Sequence, residues 1–249
     1  REYYEENFDV EILLDADPQS IQSTDAGVSM TVDHEGETRE IEGDRTFAFT
    51  GRTPALDGLN LEATALDPGE GWVRDTMQTT ADDRVYVVGD ANGRLPILHV
   101  AKEEGMQAAE NVLHDVADEP LETYDPIHHQ VIFSGLGVLP FARVGHTEAT
   151  ARKAGYDPVV VASEASSDGV FAAKNVPEGR ATLVVARDGT VLGYQGLHYH
   201  ADAMAKTMQI VVEGGLDVRA LPDRAYHPTT PEILDSLFGD AVAELATDA

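Results

Sequence analysis

The sequence predicts a mixed fold, α/β over its first half and α+β over its second. Three observations carry that reading. The apolar run Arg84–Val88 ends in Gly89-Asp90 and passes through a glycine-bearing loop into a helix-period stretch, ANGRLPILHVAKEEG. The runs Ala181–Ala186 and Thr190–Leu197 flank Arg187-Asp188-Gly189, which reads as a hairpin on an Asp-Gly turn. A second helix-period stretch, Ala201–Glu213, carries Met204, Met208 and Val211 on one face and stops at Gly214-Gly215.

The remaining elements follow in chain order. Tyr4 and Phe8 are four apart, at helical spacing, and Val10–Leu14 reads as a buried strand. Val28, Met30 and Val32 alternate before a Glu35-Gly36 turn, and Arg45–Thr50 reads as a further strand ending at GRTP. The helix after Asp90 is expected from about Ile97 to Leu113, with Ala101, Ala108 and Ala109 allowing close approach. Val131–Phe133 reads as a strand, and Thr147 caps a helix that Gly155 ends. No internal repeat or low-complexity segment interrupts the pattern.

Charge narrows the partners. Forty-five Asp and Glu oppose seventeen Lys and Arg, a net charge of −28 spread along the whole chain, with a pI near 4.4. Such a surface repels nucleic acid and anionic membranes, so neither is an expected partner. Self-repulsion of that size is tolerable where salt shortens the Debye length to a few Å, which points to a salt-rich cytoplasm. No apolar run approaches the ~20 residues that span a bilayer, and a soluble protein is expected. Cysteine is absent, so these 249 residues contain no thiol nucleophile and no thiolate ligand.

Two stretches carry chemistry. AYHPTTPE, Ala225–Glu232, puts a histidine in a loop five residues before a glutamate. Thr230 suits an N-cap, Pro231 the first helical position and Glu232 the first turn. A turned corner can bring Glu232 back to the His227 ring, where a carboxylate fixes the tautomer and leaves the other nitrogen as a base. Spacing alone favours a helix start that merely follows a histidine. In VYVVGD, the strand delivers Asp90 at the place where open α/β sheets bind ligands, and the next helix start offers backbone N–H groups. A solvated strand end would look the same. His198 and His200 share a spacing that metal ligands use but have no third partner, so no metal is expected, and His128-His129 reads as loop surface.

Taken in order, FAFTGRTPALDGLNLE, VYVVGD, LHVAKEEG, an α+β unit and HPTTPE resemble the flavin-dependent pyridine nucleotide–disulfide oxidoreductases, in their dihydrolipoamide dehydrogenase branch. The resemblance covers essentially all 249 residues and about the C-terminal half of that family's chain. It implies a remnant of the NAD(P)-binding domain at 1–53, the C-terminal part of the FAD-binding domain at 54–123 and an α+β dimerisation domain at 124–249. It implies that Gly51 lies where the nicotinamide domain returns to the flavin domain and touches the dinucleotide. It makes Asp90 the acid on the ribityl chain of FAD, and Pro96, Ile97, Leu98 and His99 the segment facing the flavin pyrimidine. His227 becomes the acid/base and Glu232 its orienting partner, working across a homodimer on a dithiol or disulfide, such as one borne by a lipoyl protein, with NAD(P) as the other substrate. The family's glycine fingerprints and its C-x4-C redox pair are missing, so a C-terminal fragment unable to run the full relay is expected. The alternative is a non-catalytic dimerisation module that has lost its cofactor sites.

Overall fold

The computed structural model describes residues 1–132, 139–224 and 226–247. The chain divides into two compact units, Arg1–Tyr124 and Asp125–Ala249.

The first unit opens with a short helix, α1 (Glu2–Asn7), whose Tyr4 ring stacks on Phe8 at 5.8 Å. A three-stranded antiparallel meander follows: β1 (Asp17–Thr24), β2 (Gly27–His34) and β3 (Glu37–Gly43). Glu35 and Gly36 both adopt positive φ, the conformation a two-residue hairpin needs to match strand twist. The meander is thin, and Val32 is its one buried residue.

Three expected strands of this unit do not form, for related reasons. At Val10–Leu14 the Ile12 N–H goes to the Glu5 carboxylate at 3.0 Å rather than to a neighbouring strand. Arg45–Thr50 is irregular, with Phe47 and Phe49 exposed. Arg84–Val88 is largely half-buried and pairs only briefly, with residues 77–79: the Thr79 N–H reaches the Val85 carbonyl at 2.8 Å, the Val87 N–H reaches the Met77 carbonyl at 2.9 Å, and a bridge joins Gln78 to Tyr86. Met77, at φ +68, breaks the ladder there. A strand is stable only where a second backbone takes its N–H and C=O groups, and apolar composition does not supply one.

The helix after Asp90 runs longer than expected, α2 (Leu98–Ala117). Its buried residues are Val100, Glu104, Ala108 and Asn111, so Ala109 faces out and a carboxylate and an amide face in. Asn111 holds the chain on two sides, donating to the carbonyls of Thr76 (3.0 Å) and Glu122 (2.8 Å) and accepting from the Glu122 N–H. Trp72, Val73 and Met77 complete this small interior.

The second unit is built on a five-stranded antiparallel sheet in the order β4-β5-β8-β7-β6: β4 (His129–Ile132), β5 (Phe141–Gly145), β6 (Val159–Glu164), β7 (Gly179–Val185) and β8 (Val191–His198). Phe133, the expected end of β4, lies outside the described residues. His129 opens β4 and meets Glu213 at 3.1 Å, so it is not the loop surface the sequence suggested. The Asp-Gly hairpin forms between β7 and β8, with Gly189 at φ +100.

Alternation decides the layering. Val144, Tyr194 and Leu183 are register partners on one face, and against that face lie α5 (Ala201–Glu213) and α6 (Glu232–Thr247). Met204, Met208 and Val211 of α5 and Ile233, Leu237 and Phe238 of α6 fill the interface. Val184, on the other parity of β7, meets Ala151 of α3 (Glu148–Lys153), and Leu192 joins it because the register shifts at Val184/Val185, which breaks the alternation of β8 there. That helix starts on a reciprocal Thr147–Thr150 capping box, and Gly155 follows it at φ +91. A short helix, α4 (Gly169–Ala173), seats Phe171 in the core. No helix among the described residues is long and apolar enough to cross a membrane.

Candidate functional site

In the second unit the loop before α6 brings His227 and Glu232 together, with His227 Nδ1 3.1 Å from Glu232 Oε2. The other carboxylate oxygen, Oε1, accepts from the Thr229 N–H at 2.8 Å. One carboxylate thus clamps both the loop backbone and the imidazole. The Thr229 amide first, and then His227, hold the Glu232 carboxyl below its ordinary range, so it is an anion at neutral pH. An anion there accepts a hydrogen bond from Nδ1–H, which keeps the proton on Nδ1 and leaves the Nε2 lone pair for a substrate. His227 is mostly exposed, while Glu232 is largely covered and fixed to a helix whose next residues, Ile233 and Leu234, are buried.

Glu232 is the first residue of α6, and its carboxylate returns to the Thr229 N–H just before the helix. Thr230 is buried and turns its hydroxyl to His200 Nδ1 at 3.2 Å. His200 stacks on Tyr199 at 3.8 Å between ring centres. His198 is buried separately, between the Tyr194 hydroxyl (Nε2, 2.7 Å) and the Tyr199 carbonyl (Nδ1, 2.9 Å). His198 therefore belongs to the interior, whereas His200 is exposed and contacts the segment before α6 through Thr230. Among the described residues no three His, Cys, Asp or Glu side chains gather as a metal site would.

In the first unit the residues around Asp90 form a second constellation. Asp90 lies in a single 3-10 turn, Gly89–Asn92, and is half exposed. Arg52 joins the parts: its Nη1 meets Asp90 Oδ2 at 3.1 Å, and its Nη2 donates to the Pro96 carbonyl at 2.7 Å. Gly51, beside it, takes φ +94, which only glycine adopts without strain. Ile97 is the N-cap residue of α2, and no side chain caps the first turn at Leu98 and His99. A small hollow is lined by Arg52, Thr53, Asp90, Gly93 and Pro96.

Sequence reasoning missed the support beneath Asp90. Glu104, fully buried, accepts from the Gly89 N–H at 2.6 Å and from Asn92 Nδ2 at 2.8 Å. It shares the spacing of Val100, Ala108 and Asn111, so a carboxylate on the apolar face of α2 was the available signal. Arg52 and Thr229 gave no comparable signal, because each acts through a partner brought in by the fold.

Comparison with known proteins decides the family. Residues 130–237 match the pyridine nucleotide-disulphide oxidoreductase dimerisation domain, and residues 1–105 match the pyridine nucleotide-disulphide oxidoreductase domain. The chain belongs to the pyridine nucleotide-disulphide oxidoreductases. It is 29% identical over 228 residues to the dihydrolipoyl dehydrogenase of Bacillus subtilis, covering 90% of this chain and 47% of that protein. It is 27% identical over 250 residues to that of Haloferax volcanii, covering 96% and 51%. Among solved structures, the HOCl-induced flavoprotein disulfide reductase RclA of Escherichia coli shares the fold with a TM-score of 0.72 at 24% identity, over 92% of this chain and 52% of that one. LpdA of Mycobacterium tuberculosis does so with 0.72 at 20% identity, over 99% and 51%. The chain spans about half the length of the curated relatives it matches.

The residues around Asp90 fit one end of FAD. A half-exposed acid and an uncapped helix start suit a ribityl chain and a flavin carbonyl. No G-x-G-x-x-G stretch for the pyrophosphate occurs in the sequence.

Proposed function

We infer that this chain supplies the C-terminal half of an FAD-dependent, dihydrolipoamide dehydrogenase-like disulfide oxidoreductase that works as a homodimer. The observation that carries the reading is the Glu232–His227 pair, with Nδ1 on the carboxylate and the rest of the ring exposed. His227 Nε2 takes the proton of a dithiol, and the resulting thiolate is the nucleophile in disulfide exchange. Glu232 sets the tautomer, holds the ring and stabilises the imidazolium that results. Asp90 would hold the ribityl hydroxyls, and the first-turn amides at Leu98 and His99 would face the flavin pyrimidine. Gly51 would let the backbone approach the dinucleotide. FAD, when bound, supplies two-electron transfer between the dithiol–disulfide pair and NAD(P). In this assignment residues 1–53 derive from the NAD(P)-binding domain, 54–123 from the FAD-binding domain, and 124–249 form the dimerisation domain.

In a full-length enzyme carrying this half, His227→Ala is expected to lower dithiol turnover by about 10²–10⁴-fold while leaving flavin content unchanged. Glu232→Ala should cost less, because it orients and does not transfer the proton. Steady-state kinetics with a flavin absorbance assay decide this, and a greater loss in Glu232→Ala reverses the roles. In the isolated chain, imidazole ¹⁵N shifts should report the Nδ1–H tautomer of His227, and a mixture in Glu232→Gln. The lack of cysteine favours a second reading, a dimerisation module without redox activity. Failure of the chain to take up FAD when combined with a relative's N-terminal half would favour it.

A further inference from the structure

Most arginines of this acidic chain answer a nearby carboxylate, as Arg74 does Asp83, Arg94 does Asp75 and Arg180 does Glu164. Arg143, in β5, does not. It is half-buried, its Nε donates to the Gly145 carbonyl at 3.1 Å, and no carboxylate lies in ion-pair range of it among the described residues. Burial without a compensating charge pulls its pKa below the ordinary arginine value. A guanidinium kept partly out of water with its terminal N–H groups uncommitted to an acid is a costly arrangement unless an anion completes it.

The surroundings supply the space. Arg143 lines a cavity of about 410 Å³ within the second unit, at the end of the sheet where β5 leaves it and β8 enters. His146, Thr150 and Thr190 contribute polar groups, and Ile127 and Leu192 an apolar wall. His146 is set in place: its Nδ1 meets Thr150 Oγ1 at 3.2 Å, and its ring lies 5.9 Å from that of Tyr156. The backbone at the cavity end is fixed as well. Gly145, at φ +69, donates its N–H to the His128 carbonyl at 2.7 Å, and any Cβ on it would fall 2.3 Å from the Leu192 carbonyl oxygen. Asp125 also lines the cavity, but no ion pair joins it to Arg143.

We propose that this cavity is a binding site for a small oxyanion, a phosphate or a short-chain carboxylate, gripped by Arg143 and His146. The guanidinium fork matches the two oxygens of such a group, and the apolar wall accepts a short carbon chain. The volume sits near the low end of small-molecule sites, which suits a metabolite-sized anion better than a dinucleotide. Since the whole chain carries −28, attraction at long range is absent and recognition is by contact. The site shares no residue with the His227 loop or with Asp90, so it stands apart from the redox reading.

Calorimetry and amide NMR on the chain, titrated with inorganic phosphate and separately with butyrate against chloride at equal ionic strength, test it. The expected result is one saturable site per chain with Kd of about 1 mM, and shifted amides at Gly145 and Thr190. Arg143→Gln should weaken binding about tenfold or more, since it removes charge-assisted hydrogen bonds. Arg143→Lys should recover part of it, and the exposed Arg180→Gln should leave it unchanged. Tighter phosphate binding assigns the site to phosphates, and tighter butyrate binding to carboxylates. His146→Gln, which keeps the fold-bearing arginine, gives a second test should Arg143→Gln unfold. No saturation with either anion by about 10 mM, or binding indifferent to both variants, overturns the proposal.

Discussion

The two units solve the same problem with different materials. Among the described residues the second unit gathers a cluster of twenty buried apolar residues around one sheet and two helices, and its buried polar side chains, His198 and Thr230, are few. The first buries Trp72, Val73, Met77, Val100 and Ala108 together with Glu104, Asn92, Asn111 and Gln78. Where apolar area is scarce, individual hydrogen bonds from buried side chains to backbone decide the path of the chain. The comparison teaches that the Asp90 constellation depends on single polar pins, whereas the His227 loop rests on a packed layer that tolerates the loss of any one hydrogen bond. It also predicts which unit opens first, since local stability follows buried apolar contact.

The largest effects should come from the packed layer. Leu237→Ala or Phe171→Ala, each removing a fully buried side chain, is expected to cost about 2–5 kcal/mol in denaturant unfolding monitored by circular dichroism. A loss under about 1 kcal/mol would mean that the second unit is loosely packed. Next comes the pin beneath Asp90. Glu104→Leu leaves the Gly89 N–H and Asn92 Nδ2 without their acceptor and should cost about 1–3 kcal/mol. Its signature is faster hydrogen exchange at Gly89 and neighbouring amides, with the second unit's amides unchanged. Equal acceleration in both units would erase the contrast drawn between them.

A smaller effect is set by pH. Burial holds the His198 imidazole below its ordinary pKa, with Nδ1–H given to the Tyr199 carbonyl and Nε2 accepting from Tyr194. The unfolded chain therefore binds a proton near pH 6.5 that the folded unit refuses. The stability this confers is complete above that pH and is lost as pH falls below it toward the folded pKa. Melting of the second unit between pH 7 and 5 should show the slope, and replacing both partners, Tyr194→Phe with His198→Leu, should flatten it. A slope that survives the double replacement belongs to other groups. The smallest change expected is Thr147→Ala, which removes one half of a capping box and costs about 1 kcal/mol by the same unfolding assay.

Association sharpens the comparison from outside. If the second unit forms the homodimer, two copies bring −56 together, twice −28, and added salt should tighten association by screening. Sedimentation across a salt series reads it directly. A dimer that dissociates as salt rises would indicate a contact built on ion pairs.

Local chemistry was legible wherever the chain carries its own instructions. The cap at Thr147, the hairpin at Asp188-Gly189, the turn at Glu35-Gly36 and the face of α5 needed only neighbours within a few residues, and all are present in the fold. The pairing of His227 with Glu232 was legible for the same reason, being five residues long and closed by one turn. Strand formation at Val10–Leu14, Arg45–Thr50 and Arg84–Val88 was not, because it depends on whether another backbone lies alongside, and apolar side chains say nothing of that. Tertiary structure alone decided that Arg52 would bridge Asp90 to Pro96, that Glu104 would hold the Asp90 turn, and that Arg143 would be left without a carboxylate in a chain that has forty-five. Each of these turns on a distance between residues far apart in sequence, and such distances are set by packing the whole unit, which no local pattern encodes.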